Sequence, residues 1–431
     1  MTLSLVVWLT VGWAMAGVLV LGLAQLLGLQ LSERFVQRGA VVHSLGLVFS
    51  SIAVLVLWLP NPVPVLVSSS PLFHVHGASW QADFMVDRLS VTCLALLSMV
   101  YPPIVRFSVP SFHREPGAQR FWFLVALFAF GLVMVMLSGN IDVFFLGWEV
   151  VGVTSVMLIA FFRRNLRSAH NSLRALIAYR LCDLGVLGAA VWMHHTFPTS
   201  DFTHLRDDAV LPTSTLVAGA LLFGSLAKSA QLPMSSWLHR AMEGPASSSA
   251  IFYGALSVHL GPILLLRTAP LWLPHEGIRV AMGLIGLSTA VYASLVGRAR
   301  PDAKTSLAYA TMAMLGVIFV ELALGLHTLA LVHVVAHAGL RTWQFLRSSS
   351  LIQDFQENPL VGADVMMGRR SQWENAFPEK WRRPLYLAAL RQFWLDEAQW
   401  RFAARPVVAL FEGVARVEAW LLGPFREEGE P

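Results

Sequence analysis

Two long apolar runs with a short polar joint between them decide the fold of this chain: QRFWFLVALFAFGLVMVMLS at residues 119–138 and IDVFFLGWEVVGVTSVMLIAFF at residues 141–162. A helix needs roughly 20 apolar residues to cross the ~30 Å hydrocarbon layer of a bilayer. Both runs reach this length, and the joint Ser138-Gly139-Asn140 is rich in turn formers. The pattern therefore predicts two successive transmembrane helices connected by a tight hinge.

The same apolar pattern recurs along most of the 431 residues. Hydrophobic residues make up 56% of the sequence and charged residues only 13%, whereas a soluble domain usually carries about 25% charged residues. We therefore predict an all-α polytopic membrane protein, a bundle of about eleven transmembrane helices with a broken seventh helix. The spans are expected near residues 3–30, 37–59, 88–106, 119–138, 141–162, 171–194, 212–232, 246–269, 276–298, 303–326 and 327–347.

Positively charged residues fall mainly in alternate loops between the predicted spans. One set of loops holds Arg34, Arg38, Arg106, Arg114, Arg120, Arg163, Arg164, Arg167, Arg174, Arg240, Arg298, Arg300 and Lys304. The other set holds only Arg88, Arg206, Arg267 and Arg279. Because Lys and Arg accumulate in cytoplasmic loops, we expect a multi-pass protein of the cell inner membrane with a periplasmic N-terminus and a cytoplasmic C-terminus.

The character of the sequence changes after residue 347. Residues 1–347 form the predicted bundle, residues 348–383 are polar and rich in turn formers, and residues 384–431 carry two amphipathic patterns. The apolar positions at helical spacing are Leu387, Leu390, Trp394, Leu410, Val414, Val417 and Leu421. A further span over 406–423 would conflict with the charges there. We expect a cytoplasmic linker, then helices that lie on the lipid bilayer or on a partner subunit.

Several classes of function are excluded by composition and spacing. The arginines are scattered between apolar runs, which argues against nucleic-acid binding. Cys93 and Cys182 lie in apolar stretches and give neither a disulfide framework nor a metal-binding spacing. We find no glycine-rich nucleotide loop, no haem-type histidine pair on two helices and no cysteine cluster for iron–sulfur. We expect no self-contained catalytic site, no metal and no cofactor.

Ionisable residues inside the predicted spans carry the functional signal. A charge at the bilayer centre costs about 3 kcal/mol on insertion scales, so each one needs a reason. These residues are Glu149, Arg180, Asp183, Lys228, His259, His333, His337 and Arg341. Arg180 and Asp183 are three positions apart and can form an ion pair on one helix face. Glu149 and Lys228 have no opposite charge at helical spacing, so each must find a partner on another helix.

Lys228 begins the stretch KSAQLP at residues 228–233. Proline breaks a helix, and the freed backbone carbonyls are tolerated only inside protein or beside a wet cavity. Burial destabilises an ammonium group relative to the neutral amine, so Lys228 could hold or release a proton under the control of an acid on another helix. The stretch predicts a broken helix beside a water-filled half-channel.

His333 and His337 lie four positions apart and share one helix face. A metal site would need a third ligand, and none is evident nearby. A proton relay is the favoured interpretation, and a hydrogen-bonded core pair is the alternative. His259 stands alone on its predicted helix.

Five stretches over residues 84–350 resemble, in order, the antiporter-like subunits of respiratory complex I, namely the subunit L class of NADH-quinone oxidoreductase and its Mrp antiporter relatives. The stretches are GWEVVG at 147–152, YRLCD at 179–183, KSAQLP at 228–233 with Trp237 and AMEGP at 241–245, DAK at 302–304 with LAY at 307–309, and His333 with His337. The resemblance implies a proton-conducting role within a larger complex of membrane and cytoplasmic subunits.

The resemblance also implies roles by position. Glu149 would be the acid of the fifth helix that pairs with Lys228, the proton-carrying lysine of the broken seventh helix. Arg180 and Asp183 would be the sixth-helix pair on the side where protons come in.

The remaining polar positions would form the connecting axis, with two departures from the family pattern. His333 and His337 take the axis positions. Tyr253 stands where the family has a histidine on the eighth helix, with His259 a turn and a half further on. Arg341 stands where the family has a lysine, and arginine does not easily give up a proton.

The family normally continues with a second broken, lysine-bearing helix, which does not follow here. FWLDE at 393–397 and Arg405-Pro406 resemble the family's far C-terminal segment. The chain thus resembles a C-terminally shortened member, like those of DAB-type inorganic-carbon accumulation complexes, where a cytoplasmic zinc protein is the partner.

The sequence and the family resemblance leave two alternative functions open. The first is a proton-conducting subunit that drives, or is driven by, a partner, in proton-driven inorganic-carbon uptake or in a quinone-linked NADH dehydrogenase-like complex. The second is a structural membrane anchor with a decayed, incomplete channel. Retained Glu149 and Lys228 favour the first, and the missing second half favours the second.

Overall fold

The computed structural model describes residues 2–71, 73–75, 78–162, 165–197, 201–206, 214–250, 256–300, 302–357 and 377–422. The helices in these ranges are α1 (Leu3–Leu26), α2 (Glu33–Trp58), α3 (Arg88–Ser111), α4 (Ala118–Leu137), α5 (Ile141–Ile159), α6 (Leu166–Thr196), α7 (Thr215–Lys228), α8 (Ser236–Arg240), α9 (Ala246–Ser249), α10 (Leu260–Arg267), α11 (Ala269–Trp272), α12 (Glu276–Arg298), α13 (Ala303–Ala323), α14 (His327–Glu357), α15 (Glu379–Leu390), α16 (Leu395–Gln399) and α17 (Arg405–Leu422). Short 3₁₀ or π segments link some of them.

The predicted polytopic helix bundle is confirmed. Within the described ranges, eight helices are long and apolar enough to cross a membrane: α1 to α6, α12 and α13. The seventh predicted span is broken as expected, because α7 ends at Lys228 and the chain resumes a helix only at Ser236. The eleventh predicted span lies in α14, which continues past residue 347 to Glu357.

The eighth predicted span, over residues 246–269, is not one continuous helix. It consists of α9, a 3₁₀ turn at Ser257–His259 and α10, and residues 251–255 lie outside the described part. Ser248 Oγ and Ser249 Oγ both donate to the carbonyl of Pro245, at 2.7 and 3.3 Å. The N–H of Ser249 keeps its regular helical bond to the same carbonyl at 3.0 Å, so these bonds lie within α9 and do not interrupt it.

Two short two-stranded antiparallel sheets, which were not predicted from the sequence, lie between α2 and α3. β1 (Val65–Ser68) pairs antiparallel with β4 (Asp83–Val86), and β2 (Phe73–Val75) pairs antiparallel with β3 (Ala78–Trp80). The N–H of Gly139 donates to the carbonyl of Asp83 at 2.7 Å. A Cβ at Gly139 would lie 2.8 Å from the backbone of Asp83, so this position of the hinge needs glycine.

Glycine pairs set the closest approaches between helices of the bundle. A Cβ at Gly147 in α5 would lie 2.6 Å from the carbonyl oxygen of Gly131 in α4. A Cβ at Gly286 in α12 would lie 2.5 Å from the carbonyl oxygen of Gly316 in α13. Small residues at such crossings let two backbones pack closely, as is common in membrane bundles.

One buried ion pair joins the start of α3 to the end of α10. Arg267 donates to Asp87 Oδ2 at 2.6 Å and to Ser90 Oγ at 2.9 Å. Asp87 also caps α3, because its Oδ1 accepts from the N–H of Ser90 at 2.8 Å. We call these three residues the clamp.

Candidate functional site

The end of α7 shows why Lys228 sits at a break. The N–H of Gln231 donates to the carbonyl of Leu226, and the N–H of Ala230 donates to the carbonyl of Ala227, at 2.8 and 3.1 Å. Ala230 has a positive φ of 48°. This arrangement is a Schellman motif, in which alanine takes the left-handed position that usually belongs to glycine. The helix therefore ends directly after Lys228.

Lys228 is fully buried, with no exposed surface. Its Nζ donates to the carbonyl of Trp148 on α5 at 3.0 Å. The ring centroids of Trp148 and Tyr179 lie 5.1 and 4.5 Å from Nζ, close enough for cation–π attraction. A Cβ at Gly152 would overlap with Nζ, so the absent side chain at this position makes room for the ammonium group.

Three charged residues form a cluster beside this lysine, on α5 and α6. Arg180 pairs with Glu149 and lies 2.9 Å from Asp183 Oδ2. Asp183 Oδ1 also accepts from Trp148 Nε1 at 2.5 Å. The other oxygen of Glu149, Oε1, is buried and has no hydrogen-bond partner among the described residues. One guanidinium thus serves two carboxylates.

The pairing of Glu149 with Lys228 that the resemblance implied is not what the structure shows. Glu149 pairs with Arg180 instead, and no carboxylate of the described residues forms an ion pair with Lys228. The bond within one helix that spacing predicted, Arg180 with Asp183, is present. Arg180 fits this position better than the lysine would, because its planar guanidinium group can contact both carboxylates at once.

A second polar group joins α14 to α13 and to the turn before α10. His333 Nδ1 lies 2.9 Å from Glu321 Oε1, and His337 Nδ1 lies 3.0 Å from His259 Nε2. Arg341 Nε donates to His337 Nε2 at 3.1 Å. We call this group the histidine axis. His259, which stood alone in the sequence, is thus a direct partner of His337.

Some functional candidates were missed, and one cannot be placed. Glu321 was overlooked, although an acid inside an apolar span is itself a signal. Gln344, which accepts from Arg341 Nη1 at 2.6 Å, gave no signal in the sequence. Trp148 was seen only as part of a motif, although its carbonyl and its indole serve both Lys228 and Asp183. Tyr253 lies outside the described residues.

The break after α7 brings the lysine and the histidine axis close together. Ser229, the neighbour of Lys228, donates from Oγ to the carbonyl of Val258 at 2.8 Å. Val258 directly precedes His259. A Cβ at Gly261 would lie 2.7 Å from the carbonyl oxygen of Ser225, so α10 packs tightly against the end of α7.

In the described part of the chain, no three His, Cys, Asp or Glu side chains converge as metal ligands would.

The broken α7 and the charges around it lie within the region that matches a known protein family. A family model described as NADH:quinone oxidoreductase/Mrp antiporter, TM, matches residues 138–362. The chain belongs to this family, and the resemblance found in the sequence is confirmed. The match begins at the hinge before α5 and includes α7 and the histidine axis.

Individual relatives agree with the family assignment. NADH-ubiquinone oxidoreductase chain 5 of Allomyces macrogynus is 30% identical over 328 residues, which cover 74% of this chain and 51% of that protein. The probable inorganic carbon transporter subunit DabB1 of Halothiobacillus neapolitanus is 28% identical over 346 residues, or 78% of this chain and 62% of that protein.

A solved structure shows the same fold. A chain in the structure of the Mrp complex from Dietzia sp. DQ12-45-1b superposes with a TM-score of 0.67 at 22% identity, over 80% of this chain and 37% of that chain. The chain spans about half the length of the curated chain 5 relatives it matches.

Proposed function

We propose that this chain is a proton-conducting subunit of a larger membrane complex and that Lys228 carries the proton. The observation that supports this most is the position of Lys228, which is sealed from solvent, lacks a carboxylate partner among the described residues and lies beside a cluster with two acids. Movement of Arg180 away from Glu149 would free that acid for Lys228. The lysine would then gain or lose a proton as the acid comes and goes.

The histidine axis supplies the next step of the proposed path. His259 and His337 lie within hydrogen-bonding distance of each other, and imidazoles exchange protons readily near neutral pH. Arg341 stays charged and orients His337 rather than carrying a proton itself. His333 and Glu321 provide a second proton-binding pair one turn away.

The complex to which the chain belongs is part of the proposal. The relatives include a subunit of an Mrp complex, an NADH-ubiquinone oxidoreductase chain and a probable inorganic carbon transporter subunit. We infer that this chain likewise assembles with other membrane and cytoplasmic subunits. The complex has two candidate reactions: proton-driven inorganic-carbon uptake and a quinone-linked, NADH dehydrogenase-like reaction. The partner supplies the chemistry in both.

The location and orientation are proposed from the loop charges. Lys and Arg concentrate in one set of alternate loops, so we place the chain in the cell inner membrane with a periplasmic N-terminus and a cytoplasmic C-terminus. A reporter fused after Pro431 should be active only in its cytoplasmic form. Activity of a periplasmic reporter at the same point would reverse the orientation.

A structural anchor is the second candidate function, and one observation favours it. The Trp148 carbonyl and two aromatic rings already satisfy Lys228, while Arg180 contacts both acids. Such an arrangement could simply hold α5, α6 and α7 together.

Substitution of the lysine separates the two functions. In vesicles that contain the intact complex, Lys228→Met should abolish partner-coupled proton movement, while the yield of the complex stays near that of wild type. Methionine keeps an apolar stem, and no carboxylate is left unpaired, because Glu149 pairs with Arg180. Lys228→Arg keeps the positive charge but fixes it, so it should be inactive as well.

The matched control is Lys380→Met, on the exposed surface of α15, which should behave like wild type. Full proton movement in a well-assembled Lys228→Met complex would favour the anchor.

A further inference from the structure

The segment between α15 and the π-helical turn at Trp400–Ala404 contacts α8, the short helix that follows the break in α7. We call residues 390–400 the strap. Gln399 accepts a hydrogen bond from Ser236, the first residue of α8. Gln392 Nε2 lies 3.4 Å from His239 Nε2, also on α8. The strap thus bonds twice to the helix that follows the break.

Three further contacts fix the strap to neighbouring helices. Arg300, just after α12, donates to the carbonyl of Leu390 at 3.1 Å. The guanidinium of Arg174 on α6 lies 4.6 Å from the ring centroid of Trp400. The rings of Tyr292 on α12 and Phe393 are 6.0 Å apart. The strap therefore contacts α6 and the C-terminal part of α12 as well as α8.

A short series of contacts connects α8 to the buried lysine. Trp237, next to Ser236, donates from Nε1 to the carbonyl of Ala227 at 2.8 Å. Ala227 directly precedes Lys228. The ring of Trp237 also packs edge-on against Tyr179, with centroids 4.9 Å apart, and Tyr179 is one of the two rings around the ammonium group.

We propose that the strap holds α8 in place and, through Trp237, sets the position of Lys228, so that a change in the strap is transmitted to the proton site. This regulatory role rests on the proposed function of Lys228. The contacts themselves do not depend on it.

The helix that follows the strap offers a surface by which a partner could act on it. α17 begins directly after the π-helical turn. Its exposed large apolar side chains are Leu410, Phe411, Val414, Val417 and Trp420. Its charges, Arg405, Glu412, Arg416 and Glu418, balance each other, whereas helices that bind anionic membranes are rich in Lys and Arg on the polar face. The occupant that fits is another protein subunit.

Hydrogen exchange in the intact complex tests the strap without relying on proton transport. The double variant Gln392→Ala/Gln399→Ala removes both side-chain bonds to α8. Amides of residues 229–240 should then exchange about fivefold faster or more, as expected for the loss of one to two hydrogen bonds. Amides of α5 should be unchanged. The matched control is Phe402→Ala, an exposed position just beyond the strap, which should leave both regions as in wild type.

The same variants decide the regulatory role. Partner-coupled proton movement should fall at least several-fold in the double variant and stay unchanged in Phe402→Ala. Unchanged amide exchange at residues 229–240 in the double variant would overturn the proposal that the strap holds α8 in place. Faster exchange with full proton movement would overturn its link to Lys228. If the wild-type complex moved no protons, the proposed function would fail, while the exchange result would still decide whether the strap holds α8.

Discussion

The clamp and the charge cluster are both arginine–carboxylate pairs inside the bundle, yet they are built differently. In the clamp the side chains of Arg267 and Asp87 are 2% and 3% exposed, and Asp87 binds the arginine with one oxygen and caps α3 with the other. In the cluster the side chains of Arg180 and Glu149 are 42% and 22% exposed. One arginine there serves two acids, and Glu149 Oε1 has no hydrogen-bond partner among the described residues.

This difference separates a fixed ion pair from one that can rearrange. Both carboxylate oxygens of Asp87 are bonded in the clamp, so movement would leave buried charges unpaired, which costs several kcal/mol. On the proposed function, Arg180 would leave Glu149 and keep its contact with Asp183, 2.9 Å away, so that Glu149 becomes available to Lys228. Burial of a charge is therefore not enough to indicate function; the presence of an alternative partner is the better indicator.

Arg267→Met should have the largest effect on stability. It removes the arginine that pairs with the buried Asp87 carboxylate at 2.6 Å, and breaking a buried ion pair costs about 3–5 kcal/mol. The complex should fail to accumulate in the membrane, as measured by its yield after mild solubilisation. The control is Arg88→Met, at an exposed position next to Asp87, which should leave the yield unchanged. A normal yield of Arg267→Met would mean that the clamp is not structural.

Glu149→Gln should affect proton movement far more than stability. The amide can still accept from Arg180, so the stability loss should stay at about 1–2 kcal/mol or below, but the side chain can no longer bind a proton. Coupled proton movement should be lost at near-normal yield. Asp87→Asn, the same change in the clamp, should instead lower the yield. If Glu149→Gln lowers the yield as much as Asp87→Asn does, the distinction between clamp and cluster fails.

Gly152→Ala should have a smaller and local effect. The added methyl group overlaps with Lys228 Nζ and should displace it from the Trp148 carbonyl. Misplacement of this size can reduce rates about tenfold or more, so coupled proton movement should fall by roughly that factor. Gly188→Ala on α6 is the control, because a Cβ there meets nothing within 4 Å. Equal activity of the two variants would show that the position of Lys228 is not critical.

The bundle could be predicted because its signal is local to each span. A run such as 119–138 is recognised as a transmembrane helix from its length and apolarity alone, and the structure has α4 at Ala118–Leu137. The interruption of the eighth span was missed, because an apolar run of this length does not show whether its helix is continuous. The two small sheets were missed because their strands are only three or four residues long. Such strands are too short to show a reliable alternation of apolar and polar residues.

The site could be predicted as a set of residues but not as a set of contacts. Charges inside apolar spans pointed to Glu149, Arg180, Asp183 and Lys228. Which acid pairs with which base depends on helix packing, and Arg180 pairs with Glu149, the partner that the family resemblance implied for Lys228. Contacts between helices explain the other surprises, since His259 meets His337 across 78 positions of sequence.

A measurement of the protonation state of Lys228 shows directly whether this side chain carries the proton. The chain contains three lysines, Lys228, Lys304 and Lys380, so Lys304→Arg/Lys380→Arg leaves a single lysine for side-chain nitrogen-15 labelling. Nitrogen NMR of the intact, working complex, assembled with only this chain labelled, then distinguishes ammonium from neutral amine at one lysine side chain. We expect both forms of Lys228 to be populated during coupled transport, and Glu149→Gln to change their ratio. A signal that stays purely ammonium under all conditions, with transport intact, would contradict a proton carried by Lys228.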